Sequence, residues 1–147
     1  MSESLEEQKE RANKRKAEMT EVEWEIMRVV WDKEPCAAGT VQEELASRRK
    51  PHNGSPPKAY STIKTTMDRM VEKGFLKIEK VRNLQLFKSC ISEIDAKHRE
   101  FTKMLKRAFD GALTPMMQFL IEHEGISKDE ASQLREIVRK AEGKEEK

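Results

Sequence analysis

The sequence predicts a mainly α chain in two parts: three helices closed by a two-stranded β-hairpin, then three more helices. Three observations predict it. Apolar residues recur at helical spacing in six stretches bounded by glycine, proline or capping residues. One further pair of stretches alternates at period two on either side of Arg82-Asn83. The charge also changes character along the chain: from Arg48 to Lys88, 11 basic residues less Asp68, Glu72 and Glu79 give +8, although all 147 residues together carry only +2. From Ile91 onward, 11 basic residues against 12 acidic ones give −1.

Residues 1–18 are dense in charge and nearly free of large apolar groups, which predicts a charged flexible extension. Lys14, Arg15 and Lys16 read most simply as part of a solvated tail. The first helix runs from Thr20 to Trp31. Thr20 and Glu23 have capping-box spacing, and Val22, Ile26, Val29 and Val30 form its apolar stripe. Pro35 follows. Gly39-Thr40 then reads as the cap of a second helix from Val41 to Arg49, with Val41, Leu45 and Ala46 facing inward. Three prolines and a glycine make Pro51-His-Asn-Gly-Ser-Pro-Pro57 a loop.

The third helix extends from Ala59 to Lys73 and stops at Gly74. Ile63, Met67, Met70 and Val71 fall at i, i+4, i+7 and i+8, a buried stripe with Tyr60 at its edge. A turn of about 100° per residue puts Ser61, Thr62, Thr65, Asp68 and Arg69 on the opposite side. The strands are Phe75–Val81 and Leu84–Ile91. The order helix, helix, helix, hairpin over residues 19–91 is that of a winged helix-turn-helix, the hairpin forming the wing.

Residues 92–147 predict a helical dimerisation domain. Ser92 caps a helix to Asp110 that Gly111 breaks, carrying Phe101, Met104, Leu105, Ala108 and Phe109. Thr114-Pro115 opens a short helix, with proline at the first helical position, carrying Met116, Met117, Phe119, Leu120 and Ile121 up to Gly125. Ser127 and Glu130 form a capping box for a third helix with Leu134, Ile137 and Val138 apolar. Three short amphipathic helices bury little alone, so a second copy is expected against Phe101, Leu105, Phe109, Met117, Leu120, Ile121, Leu134, Ile137 and Val138.

Several function classes are excluded. No run approaches the ~20 apolar residues of a membrane span, and the N-terminus lacks a signal-peptide core, so a cytoplasmic protein without membrane insertion is expected. Cys36 and Cys90 lack metal-ligand spacing and read as partly buried thiols. His52, His98 and His123 belong to no HExxH pattern, and there is no nucleophile elbow or phosphate-cradling glycine loop. No catalysis, metal or cofactor is expected.

The third helix and its charge point instead to double-stranded DNA. Hydroxyls and free amides at a helix start bind phosphates, threonine methyls meet thymine, and arginine or lysine pairs with guanine. The expected interface is Lys58, Tyr60, Ser61, Thr62, Lys64, Thr65, Arg69 and Arg82. Ser61, Thr62 and Thr65 approach base edges, and Lys58, Lys64 and Arg82 the backbone. Arg69 has two readings, a DNA contact or an ion pair with Glu72. Tyr60 reads as packing or a phosphate ligand. The competing reading of the whole is a protein-interaction module without specific DNA binding, which would normally expose apolar anchors on such a helix.

Three blocks carry a resemblance. Thr20-Glu-Val-Glu-Trp24 with Val30-Trp31 is the first; Tyr60-Ser-Thr-Ile-Lys-Thr65 followed by Arg69-Met-Val-Glu-Lys-Gly74 is the second. The third is Phe109-Asp-Gly-Ala-Leu113 leading to Ser127-Lys-Asp-Glu-Ala131 with Leu134. Together, in this order, they resemble the penicillinase repressor family of bacterial transcriptional regulators, the BlaI/MecI type. The resemblance implies a homodimer that binds a palindromic, inverted-repeat operator and blocks transcription. In antibiotic-responsive members it implies release by cleavage in the C-terminal domain, triggered by a membrane sensor protease. The wing departs from the family's Gly-Arg turn with Val81-Arg-Asn83. The chain ends Gly143-Lys-Glu-Glu-Lys147, without the cysteine-rich tail of copper-responsive members.

Overall fold

A computed structural model of the chain describes residues 4–7, 18–48 and 56–145. Most of the expected N-terminal extension, the helix end at Arg49 and the loop segment 51–55 lie outside the described residues. The chain forms two compact units, residues 1–96 and 97–147.

In the first unit, α1 (Glu21–Lys33) opens on the anticipated capping box. The Thr20 N–H donates to Glu23 Oε1 at 2.8 Å, and the Glu23 N–H donates to Thr20 Oγ1 at 3.2 Å. Each polar side chain thereby satisfies a backbone donor that the helix cannot. Next, Cys36 is pinned to the hairpin. Its N–H donates to the Phe87 carbonyl at 3.1 Å and its carbonyl accepts from the Phe87 N–H at 2.7 Å.

That bridge moves the start of α2 (Ala38–Arg48) three residues ahead of the predicted Val41. The Ala37 carbonyl, just beyond the pinned residue, accepts from both Thr40 and Val41 N–H, so Gly39 and Thr40 lie inside the first turn rather than capping it. Ala46 is exposed, not inward-facing. Val41 and Leu45 set the buried side, and one further residue turns about 100° away from it.

Helix α3 (Tyr60–Glu72) buries Ile63, Met67 and Met70, with Val71 partly covered. Gly74, at φ 87°, ends it, a conformation that costs a residue without Cβ little. Strands β1 (Leu76–Val81) and β2 (Leu84–Ser89) pair antiparallel from Leu76↔Ser89 to Val81↔Leu84. Arg82 takes φ 57° in the two-residue turn between them. One core joins Ile26, Met27, Val29, Val30, Val41, Ile63, Met67, Met70, Phe75, Leu76 and Phe87 from all five elements. The architecture is a winged helix-turn-helix.

The second unit begins within α4 (Glu93–Phe109), whose start is capped by Ser92 Oγ accepting the Asp95 N–H at 3.1 Å. The turn after it begins one residue before Gly111: Asp110 adopts φ 52°, and the Gly111 N–H closes on the Leu105 carbonyl at 3.1 Å. That bond reaches one residue further back than the six-to-one closure of a Schellman turn, because Asp110 and Gly111 (φ 81°) are left-handed in succession; aspartate is tolerated in that region. Helix α5 (Leu113–Phe119) starts before the predicted position, leaving Pro115 third in the helix, where no N–H is yet required. It continues as a π-helical turn, Leu120–Glu124, up to Gly125 at φ 75°. Helix α6 (Lys128–Glu145) is capped by Ser127 Oγ, which accepts the Glu130 N–H at 3.1 Å. Phe109 packs edge-on to Phe119 with ring centroids 5.7 Å apart. No described side chain from Lys97 to Gly143 is buried.

Candidate nucleic-acid interface

Helix α3 is amphipathic in an unusual sense: the side away from the core carries hydroxyls and a guanidinium rather than a mixed charged surface. With Ile63, Met67 and Met70 turned inward, Ser61, Thr62, Thr65 and Arg69 are all exposed, and Thr65 lies opposite the buried stripe. The helix starts on Ala59, which gives no side-chain cap, so its first amides are left for solvent or an anion. Lys58, just ahead of the helix, is exposed, and Tyr60 stands 49% exposed at the first turn.

Lys64 is the predicted site residue placed differently. Its ammonium donates to both carboxylate oxygens of Asp68, at 2.8 and 2.9 Å, and lies 5.7 Å from the centroid of the Phe87 ring. The stem therefore covers the joint between α3 and β2, and Asp68 is drawn off the open face with it. Of the two readings of Arg69, the ion pair with Glu72 is not formed: among the described residues Arg69 has no carboxylate partner. Thr66 spends its hydroxyl on the Thr62 carbonyl at 2.8 Å.

Pairing divides the basic residues of this unit. Arg48 is held by Asp32 at 2.7 Å and Glu44 at 3.2 Å. Lys73 is held by Glu23 at 2.9 Å. Lys58, Arg69, Lys77, Lys80, Arg82 and Lys88 have no carboxylate partner among the described residues. Four of those six stand on the hairpin, and Lys77 lies directly across the ladder from Lys88. Like charges in register oppose pairing, and a polyanion alongside removes that cost. Lys77, Lys80 and Lys88 were not singled out from the sequence, although a turn at Arg82-Asn83 already puts Lys77 opposite Lys88. Arg82, at the tip, is exposed.

Among the described residues no group of His, Cys, Asp or Glu could hold a metal, and no helix is long and apolar enough to cross a membrane. Cys36 is buried while Cys90 is exposed, so the two thiols are not alike in burial.

Comparison with known proteins follows the same lines. The penicillinase repressor family model matches residues 19–140. The methicillin resistance regulatory protein MecI of Mammaliicoccus sciuri is 28% identical over 123 residues, spanning 84% of this chain and 94% of that protein. The penicillinase repressor of Staphylococcus aureus is 24% identical over 127 residues, 86% of this chain and 94% of its own length. A solution structure of the monomeric form of Bacillus licheniformis BlaI in complex with the blaP half-operator aligns with TM-score 0.43 and 24% identity. It covers 53% of this chain and 87% of that one.

Proposed function

The chain belongs to the penicillinase repressor family, and on that premise we propose that it is a transcriptional repressor that binds an inverted-repeat DNA operator as a homodimer. The observation that carries the DNA reading is the outward face of α3. Ser61, Thr62, Thr65 and Arg69 are exposed on one side of a helix whose other side is core, beside five further cations, Lys58, Lys77, Lys80, Arg82 and Lys88, that have no carboxylate partner among the described residues. Such a helix fits the major groove with its N-terminal side chains at base edges, while unpaired cations on the flanks take phosphates. Ser61 and Thr65 read bases, with Thr62 and Arg69 at the groove edge. Lys58, Tyr60 and the hairpin cations Lys77, Lys80, Arg82 and Lys88 contact the backbone. Lys64 shapes the junction between helix and wing.

The homodimer rests on the second unit, whose Phe101, Phe119, Ile121, Ile137 and Val138 are exposed with no buried side chain beneath them. Two copies place two α3 helices one DNA turn apart, about 34 Å, as a palindrome requires. Repression, rather than catalysis, is the activity, and the cytoplasm is the compartment where DNA and reduced thiols meet. A membrane sensor protease is the releasing partner that the family supplies. The chain has no Asn-Phe pair near Lys103-Met104, where antibiotic-responsive members are cut; this stretch lies on exposed turns of α4, so cleavage there would need the helix to open locally.

Thr65→Glu tests the reading. A carboxylate at the centre of the face opposes the phosphates, while the exposed position leaves folding intact. Operator binding in a gel-shift titration should be lost with an unaltered thermal melt; unchanged affinity means that α3 is not the reading element.

A further inference from the structure

Glu23 is the one buried charged side chain among the described residues, 2% exposed. Its carboxylate accepts the Thr20 N–H through Oε1 at 2.8 Å and the Lys73 ammonium through both oxygens, at 3.0 and 2.9 Å. Lys73 is the C-cap residue of α3. A single carboxylate, itself fixed by the capping box, therefore ties the first turn of α1 to the last turn of α3.

We propose that this ion pair sets the orientation of α3 for base reading, so that Glu23 and Lys73 are positioning residues for operator selection. The proposal rests on the repressor reading above. The core cluster to which α1 and α3 both contribute includes Met27, Met67 and Met70, all fully buried. Methionine is flexible and non-directional, so these three side chains fill space without themselves specifying one rotation of a helix. An α-helix is about 10–12 Å across with its side chains, so a rotation of about 10° carries its outer face about 1 Å. Base contacts do not survive such a shift, whereas phosphate contacts by flexible lysines do. Burial of an ion pair adds little net stability over apolar residues of equal volume, and its best-attested use is to select one arrangement.

The test is Glu23→Gln/Lys73→Met. Glutamine keeps an acceptor for the Thr20 N–H, and losing one charge of each sign leaves the net charge at +2. The probe is the duplex that the wild-type full chain enriches from a random-sequence pool, compared with a shuffled duplex of the same composition. In the folded double variant, affinity for the shuffled duplex and its salt dependence stay at the wild-type level. The preference for the enriched duplex falls about tenfold, the effect of one poorly read base pair. Lys73→Arg alone, with Glu23 intact, keeps the charge and the reach and retains most of that preference. A preference within about twofold of wild type in a folded double variant overturns the proposal. If the double variant does not melt cooperatively, Lys73→Gln is read by the same criterion. Failure of the wild-type chain to enrich any duplex overturns the repressor reading itself and this inference with it.

Discussion

At the scale of single residues, helix caps were legible and ion pairs were not. Thr20 with Glu23, Ser92 with Asp95 and Ser127 with Glu130 are three apart, and in each the hydroxyl accepts the N–H three residues on, the Thr20–Glu23 pair doing so reciprocally. The pair Lys64–Asp68, although only four apart, was missed: the sequence predicts Lys64 on the DNA backbone and Asp68 on the open face. Lys73–Glu23 spans 50 positions, and only the fold brings them together. Burial of the two cysteines follows the same rule. Cys36 is buried because its backbone pairs with Phe87, and burial, followed by the nearby Glu34 charge, pushes its thiol pKa up. Cys90 is exposed. A thiolate reagent at neutral pH should therefore modify Cys90 quickly and Cys36 only in denaturant, because the thiolate is the reactive form. The sign of the pH effect follows. The unfolded chain releases the Cys36 proton at lower pH than the folded one, so this contribution to stability is intact below the ordinary thiol range and is lost as pH rises through it. Equal modification rates for the two thiols in the folded protein would contradict this.

At the scale of elements, the order and type of the eight from α1 to α6 were readable, because the apolar periods of helices and strands differ and glycine or proline marks most of their ends. The errors lay where a polar or small residue looked like a boundary. Gly39-Thr40 looked like a cap, but the bridge between Cys36 and Phe87 starts α2 earlier. Gly111 looked like the break after α4, but Asp110 is the first residue to leave the right-handed region. The hairpin turn was placed correctly, yet its conformation was not legible, since arginine rarely sits at φ 57°. That residue makes the element testable, because its two effects oppose each other. In the left-handed region a side chain costs about 1–2 kcal/mol that glycine does not. Arg82→Gly should thus raise stability, by up to about 1 kcal/mol once the entropy of glycine in the unfolded chain is counted. It should also lose one phosphate contact per protomer, flattening the slope of log K against log salt by about 1.8 for the dimer on its operator. Thermal melts and a salt titration measure the two separately. A melt shifted upward with an unaltered salt slope would place Arg82 away from DNA.

For the whole molecule, the division into a cationic first part and a near-neutral second part was legible in charge alone. The apolar stripes of the three helices in the second part were legible in helical spacing. What spacing does not reveal is that the second unit builds no interior of its own: none of its described side chains is buried, although Phe109 and Phe119 pack together. An apolar surface of this kind left in water would gain about 25 cal/mol for each Å² covered, which is the physical case for a second copy. The same exposure makes the interface separable from folding. Ile137 is 63% exposed on α6, so replacing it removes almost no packing within one chain. Ile137→Asp should leave the melt of the winged-helix unit intact while placing a carboxylate in the apolar contact between copies. In sedimentation the wild-type chain should be a dimer and the variant a monomer. Operator affinity should then fall by about 10²–10⁴, the advantage lost when two half-sites are no longer held by linked readers. For the wild-type dimer, the midpoint of denaturation should also rise with protein concentration, as it does when folding and association are coupled. An Ile137→Asp chain that stays a tight dimer with full operator affinity would move the interface off this face of α6.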